Sequence, residues 1–365
     1  MEEIAIVILN WNGKKYLELF LPSVINNSAG AKIYIADNNS ADDSVPFLER
    51  NYPEVTIIQF SENKGFCKGY NDALNLIDSK YYLLLNSDVE VTEGWLEPLL
   101  QVFRDDEKVA ACQPKIKDYK KRDYFEYAGA AGGFIDKWGY PFCRGRIFFS
   151  LEKDTGQYND IAEVFWGSGA CLLIKSEAFH EVGGLDESFF AHMEEIDICW
   201  RLKNLGYKIM YCGKSEVFHV GGGTLSKSSP TKTFLNFRNS IYNIYKNNPG
   251  QISTKIAVRL ILDGVAGARF LFTDSWRHTM AILRAHFSFY LNINQLKQKR
   301  ALEKKRRKIN TRSELYHRSI VFDYFKKGKQ KFSDLKLKVA DNTSAPSQMA
   351  VNIHNKSHAE INKNR

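Results

Sequence analysis

Between residues 4 and 85 the chain alternates short β-branched runs with amphipathic stretches, and that rhythm constrains the fold more than any other feature. Residues 4–9, 32–36, 55–59 and 81–85 read as strands, with helices predicted over 14–26, 44–51 and 65–77. Strands and helices in this repetition specify an α/β domain whose mostly parallel central sheet is flanked by helices on both faces. Sheets of this kind take their ligands at the carboxyl ends of the strands. The polar residues at those ends are Asn10 and Asn12, then Asp37 to Ser40, then Asn63, and then Asn86 and Asp88. Strand ends that all finish in Asn or Asp can converge on one ligand.

Residues 118–160 are rich in Tyr, Gly and Lys with weak periodicity, and read as an irregular insertion able to fold over a site. Order returns at 164–175, a strand broken by Gly167-Ser168-Gly169, then a helix over 193–205 and a strand over 208–211. Helical periodicity resumes over 233–246 and 256–272, continuing toward Tyr290; a polar end from Asp341 is expected to be disordered.

Charge is divided unevenly. The chain totals 51 Lys+Arg against 42 Asp+Glu, yet residues 291–340 alone hold 16 basic and 4 acidic side chains. The body is therefore acidic, which excludes a uniformly cationic protein made to coat nucleic acid. Six dispersed cysteines without a CxxC pair, after an opening strand rather than a signal segment, point to a reducing cytoplasm. The longest apolar run, 256–272, carries Arg259, Asp263 and Arg269 and is not expected to span a bilayer.

Asn86-Ser87-Asp88 follows the apolar strand and would hold a carboxylate rigidly, as a hard divalent cation shared with substrate phosphates requires; all three residues also favour simple turns. His219 lies at the end of another strand-like run, before three glycines. It reads either as a packed histidine or as a further metal ligand beside Asp88. Glu194 and Glu195 open a helix just after Phe189-Phe190-Ala191-His192, an apolar approach that can desolvate a carboxylate and raise its pKa toward that of a general base. Asp197 and Arg201, four apart, read as a helix-stabilising pair. Residues 61–71, with Asn63, Gly65 and Asn71, read as a cradle for a sugar nucleotide at a helix start. Neither a Walker A loop nor a GxGxxG is present.

In this order, the segments IVILNWN (6–12), DNNS (37–40), ENKGF (62–66), LLNSDV (84–89), GGLDESFF (183–190) and EEIDICWR (194–201) resemble the motif series of family 2 glycosyltransferases, nearest the bacterial rhamnosyltransferase-like branch. The resemblance covers roughly residues 1–245. It implies a GT-A fold, a nucleotide-sugar donor, a divalent cation (Mg²⁺ or Mn²⁺) and inversion at the anomeric carbon. It also implies that Asp37 contacts the base or ribose, and that Asn10, Asn38, Asn63, Gly65, Asn71, Asn86 and Ser87 line the nucleotide sugar. Asp88 and His219 would bind the metal and Glu195 would be the base, with Glu194 orienting acceptor or helix. Position 86 is Asn where the strict motif has Asp, and the acid pair is Glu-Glu where many members have Glu-Asp or Asp-Asp. Trp166 and Gly167 are expected in the acceptor floor, the indole offering a flat face to a sugar ring or else packing in the core.

The division expected on this reading is a transferase domain over 1–245, a helical extension over 246–290, a basic helical segment over 291–340 and a disordered tail over 341–365. The acceptor would be a saccharide or lipid-linked saccharide of the cell surface. The apolar and basic residues from 256 to 308 suit attachment to an anionic membrane at its inner face, and no nucleic-acid partner is expected. Two other readings are a sugar-phosphate nucleotidyltransferase, disfavoured by the absence of a Gly-rich loop with a basic residue near the first strand, and a basic-tail nucleic-acid binder, disfavoured by a tail without aromatic readout.

Overall fold

A computed structural model describes residues 2–221, 229–273, 275–309, 314–337 and 339. The tail expected over 341–365 and the last two glycines after His219 lie outside the described residues.

Strands β1 (Glu2–Asn10), β2 (Lys32–Asp37), β3 (Thr56–Gln59) and β4 (Ser79–Asn86) are parallel and stand in the order β4-β1-β2-β3. Helices α1 (Lys14–Asn27), α2 (Ser44–Asn51) and α3 (Gly65–Leu74) connect them. Beyond β4 the sheet is mixed. Strand β5 (Val89–Val91) and helix α4 (Leu96–Asp105) lead to β6 (Val109–Asp118). Residues 133–151 then form β7 (Gly133–Asp136), β8 (Pro141–Cys143), β9 (Arg146–Ile147) and β10 (Ser150–Leu151), and the chain returns through β11 (Ile161–Val164) and β12 (Cys171–Lys175). Helices α5 (Ser176–Glu181) and α6 (Glu194–Leu205) precede β13 (Lys208–His219). The main sheet reads β11-β13-β6-β12-β4-β1-β2-β3, with β5 on β13.

Both faces of this sheet are covered, which is why its strands are apolar almost throughout. Ala5, Val7, Tyr82 and Leu84 face a core shared with α3, α6 and the insertion. Ile6, Ile8, Leu83 and Leu85 face a second core beneath α1 and α4. The expected single strand over 164–175 is two strands: β11 pairs with β13, whereas β12 lies between β4 and β6.

The insertion is ordered rather than irregular. Strands β10-β9-β8-β7 make a small sheet completed by β14 (Leu315–Tyr316), which pairs parallel with β7. Phe134, Phe142, Tyr316 and Phe332 pack ring to ring behind it. Helices α7 (Pro230–Asn247), α8 (Ser253–Thr273), α9 (Trp276–Leu291), α10 (Ile293–Arg306) and α11 (Ile320–Phe325) complete the chain.

Part of the basic stretch acts as a staple. Lys299 Nζ contacts Asp186 at 2.5 Å and Ser188 Oγ at 2.9 Å, and Arg300 donates to the carbonyls of Tyr245, Asn248 and Gly250. Arg307 donates to the Asn247 carbonyl at 2.8 Å. Among the described residues no helix is long and apolar enough to cross a membrane.

Candidate active site

Register alone brings the polar strand ends together. Asn10 stands opposite Asp37 and Leu9 opposite Asn86, so the ends of β2, β1 and β4 are side by side. Asp37 is fully buried and accepts hydrogen bonds from Asn10 Nδ2 (2.9 Å), Ser40 N (2.9 Å) and Ser40 Oγ (2.6 Å). Asn38, also buried, donates to Asn63 Oδ1 and the Gly65 carbonyl and accepts from Lys64 N. Asn10, Asp37 and Asn38 thus form a hydrogen-bonded platform under the strand ends, not its ligand-facing surface. The open side chains around it are Trp11, Asn12, Asn39 and Asn63, with Asn86 and Ser87 half-buried. Trp11 has an exposed indole between two asparagines of the first motif, a signal for a ring-stacking surface that the sequence reading did not use.

The start of α3 is not an open phosphate cradle. Phe66 N and Cys67 N donate to the Phe190 carbonyl at 3.1 and 3.4 Å. Gly65, at φ +73°, lies so close to Phe190 that a Cβ there would come within 2.8 Å of the ring. Asn71 spends both ends of its amide on the backbone of Leu185, each at 2.8 Å, and so clamps α3 to the segment that leads into α6.

That segment carries strain and is heavily held. Phe190, His192 and Met193 have positive φ of 64°, 69° and 69°, the last of them at the residue immediately before α6. Asn239 Nδ2 donates to the carbonyls of Phe189, Ala191 and His192, Arg238 Nη2 to those of Ser188 and Phe189, and Asn243 Nδ2 to that of Met193. These α7 residues were not legible in sequence, because nothing local ties them to a loop some fifty positions earlier. Behind the loop, buried Asp197 contacts Arg201 Nε at 2.8 Å and Lys246 Nζ at 2.6 Å. The predicted helix pair is thus the hub of a network, and Asp197 is spoken for.

Glu194 and Glu195 are not. Each has a buried carboxylate oxygen, Oε2, with no hydrogen-bond partner among the described residues. Burial pushes Glu195 up to about 7, and burial, reinforced by the neighbouring Glu195 and Asp197 charges, pushes Glu194 well above the usual carboxylate range. Glu195 is the more accessible of the two and lies against Gly169, where a Cβ would sit 3.6 Å from its own. A raised folded pKa means that the native state holds a proton the unfolded chain releases. Stability from this pair is therefore lost as pH rises from about 4.5 to about 7, while the free base exists only above that range. We expect kcat/KM to climb with unit slope up to about pH 7 and then level. A limb near 4.5, the ordinary glutamate value, would show a solvated carboxylate instead.

Asp88 lies in the turn between β4 and β5 and His219 ends β13, and Nε2 of the imidazole is 3.1 Å from Asp88 Oδ1. His219 Nδ1 has no hydrogen-bond partner among the described residues, but Glu126 Oε2 lies 3.5 Å away. Burial alone pulls the imidazole down, yet the Glu126 and Asp88 carboxylates outweigh it and push His219 up to about 10. Burial opposes the Asp88 charge too, but His219 holds that carboxyl below its ordinary value. Glu126 lies in the insertion, where weak periodicity concealed it. A carboxylate backing the second nitrogen of a histidine is the usual support of a metal-bound imidazole.

The acceptor expectation is corrected. Trp166 is buried, with Nε1 bonded to the Phe134 carbonyl at 3.0 Å and its ring pressed on Gly133, so neither face is open to a sugar. Gly167 is buried against Leu172. Of this turn only Gly169 reaches the carboxylate pair.

The same turn joins the two halves of the site. Ala170 accepts from Asn86 N at 2.9 Å, and Ser168 Oγ bonds the Ala128 carbonyl. Ala128 N bonds Glu126, and Glu126 backs His219. Glu195, the 168–170 turn, Glu126, His219 and Asp88 are thus joined by one chain of contacts at the strand ends.

Residues 5–183 match the family model described as Glycosyl transferase family 2. The chain is 26% identical over 235 residues to the N-acetylglucosaminyl-diphospho-decaprenol L-rhamnosyltransferase of Mycobacterium tuberculosis, covering 59% of this chain and 75% of that one. It is 22% identical over 221 residues to the rhamnosyltransferase WbbL of Escherichia coli K12, covering 59% and 83%. A crystal structure of GalNAc-T7 with UDP, GalNAc and Mn²⁺ superposes with a TM-score of 0.50 at 17% identity, a likeness of fold. It covers 81% of this chain, which spans 58% of that enzyme. The mixed sheet flanked by helices is the GT-A fold, and the nucleotidyltransferase and nucleic-acid readings have no support. Motif order, strand-end geometry and the matched residues lead to one assignment: the chain is a glycosyltransferase that carries a glycosyl transferase family 2 domain over residues 5–183.

Proposed function

We propose that this enzyme transfers a hexosyl residue, with inversion, from a nucleoside-diphosphate sugar to a hydroxyl of a saccharide or lipid-linked saccharide in cell-surface polysaccharide synthesis. The observation that carries this reading is the chain of contacts from Glu195 to Asp88, with two carboxylates that each keep one oxygen without a partner among the described residues at one end and a histidine–carboxylate pair at the other. Glu195 takes the proton of the acceptor hydroxyl as that oxygen attacks the anomeric carbon, and the nucleoside diphosphate leaves from the opposite face. Glu194 orients the acceptor or holds the helix start. The platform of Asn10, Asp37 and Asn38 fixes the strand ends against which the donor lies.

Asp88 and His219 fit a divalent cation, Mg²⁺ or Mn²⁺: an oxygen and a nitrogen donor converge, and Glu126 orients the ring. When bound, the ion would neutralise charge developing on the departing diphosphate. The family fold over 1–245, the helical extension over 246–290 and the basic segment over 291–340 are the units we assign, placed in the cytoplasm at the inner face of an anionic membrane.

The test is a thermal-shift screen of nucleoside-diphosphate sugars with and without Mn²⁺, in which a donor at 100 times its Kd adds about 2.7 kcal/mol. Asp88→Ala and His219→Ala should each weaken the Mn²⁺-dependent part, and non-additively, since both act on one cation. If His219→Ala leaves the Mn²⁺ titration unchanged, the histidine is a packing residue.

A further inference from the structure

Helices α8 and α9 pack against each other as a hairpin, with α9 also lying along α7. Each leaves an apolar stripe in solvent. On α8 it runs through Ala257, Ile261, Val265, Ala268 and Phe272, and on α9 through Trp276, Met280, Leu283, Phe287 and Tyr290. Spacings of three and four place each set on one helix face. At the turn between the helices, Phe272 is 90% and Trp276 63% exposed. So much exposed aromatic and aliphatic surface marks an interaction site.

The charges identify what covers it. Arg269, Arg277 and Arg284 are exposed on these helices, whereas the one carboxylate among the described residues of the hairpin, Asp263, is fully buried against Arg259; Asp274, between the helices, lies outside the described residues. Between α9 and the start of α7 lies a cleft of about 290 Å³ lined by Thr231, Phe234, Trp276, Met280, Arg277 and Arg284, with no acidic side chain in its wall among the described residues. The Arg284 guanidinium lies 5.5 Å over the Phe234 ring. A second copy of this chain would set arginine against arginine here, with no exposed acid on either helix to answer it. An anionic bilayer supplies both an apolar layer and phosphates.

We propose that the α8–α9 hairpin is the membrane-docking surface of this enzyme: its apolar stripes enter the interface of an anionic bilayer, and Arg277 and Arg284 hold a headgroup phosphate in the cleft. This rests on the membrane attachment proposed above and narrows it from residues 256–308 to the hairpin. It also places the membrane near the chemistry. Thr233 on α7 bonds His278 on α9 at 2.8 Å, and α7 carries Asn239, which holds the loop before Glu194 and Glu195.

The test is co-sedimentation of the full chain with phosphatidylcholine vesicles containing one-third phosphatidylglycerol, and with phosphatidylcholine alone. The wild-type chain should bind the anionic vesicles, bind neutral ones poorly and be released by salt. Arg277→Gln with Arg284→Gln should lower the affinity roughly 30-fold, about fivefold for each basic side chain removed. Phe272→Ser with Trp276→Ser should lower it comparably or more, while donor-dependent thermal stabilisation stays as in the wild type. Lys297→Gln with Lys304→Gln and Lys305→Gln, exposed on α10, should bind within about threefold of the wild type. If these lysine changes abolish binding and the hairpin changes do not, the hairpin assignment falls while attachment stands. If the wild-type chain binds neither vesicle, both fall. If inorganic phosphate releases the protein where sodium chloride of equal ionic strength does not, the cleft is a site for free phosphate. If the hairpin variants dissociate a dimer without affecting vesicle binding, the face is a subunit interface.

Discussion

Glu195→Gln is expected to lower kcat by 10² to 10⁴ while leaving donor binding intact, because the amide keeps the size of the side chain and cannot accept the acceptor's proton. Two observations single out this residue. Its carboxylate has an unpartnered oxygen, and burial holds its pKa at about 7, near the pH at which a base is most effective. Asp197 cannot substitute, since Arg201 and Lys246 both hold it. Steady-state kinetics with a radiolabelled donor, set beside donor binding by calorimetry, would settle the point. A near-normal kcat would transfer the role to Glu194, which has the other free oxygen. The acidic limb of the pH profile should then follow the Glu194 substitution.

Arg201→Met is expected to cost about 3 kcal/mol of stability, the lower end of what breaking a buried ion pair costs. Arg201 is buried, and its Nε bonds Asp197 while Nη1 and Nη2 donate to the carbonyls of Val182 and Gly184 at 2.8 and 2.7 Å. Methionine matches the stem but takes the guanidinium donors from both carbonyls and leaves Asp197 to Lys246 and Asn247. The released segment is the one that Asn71 and Asn239 hold in front of α6, so kcat should fall with stability. Urea unfolding monitored by tryptophan fluorescence would measure the loss. A change within about 0.5 kcal/mol, as for an ordinary surface substitution, would show that the guanidinium is dispensable.

The basic stretch shows how a local reading can name a property and miss its use. Sixteen basic residues in fifty look like a surface made for anions. Lys299, Arg300 and Arg307 instead spend their donors on Asp186 and on backbone carbonyls at the ends of α7. Helix ends expose unsatisfied carbonyls, and cations near a helix C-terminus satisfy them, so part of this charge is structural.

What could be read from the sequence alone was what repeats or matches locally. The two-residue and 3.6-residue periodicities placed the first four strands and three helices, and parallel register then carried Asn10, Asp37 and Asn86 to one edge. Motif order brought in Glu195, Asp88 and His219. Three outcomes needed the tertiary structure. The insertion closes into a sheet only when β14 arrives from residues 315–316 to pair with β7, and strands of two to four residues carry too few alternations to announce themselves. Trp166 is buried because Gly133 lets the indole lie flat on its backbone, a contact between residues 33 positions apart. Glu126 meets His219 across 93 positions of chain. Periodicity reports which face of an element is apolar, but it does not say which distant side chain meets that face. Burial, a shifted pKa and a paired or free carboxylate depend on that meeting, and packing alone decided them.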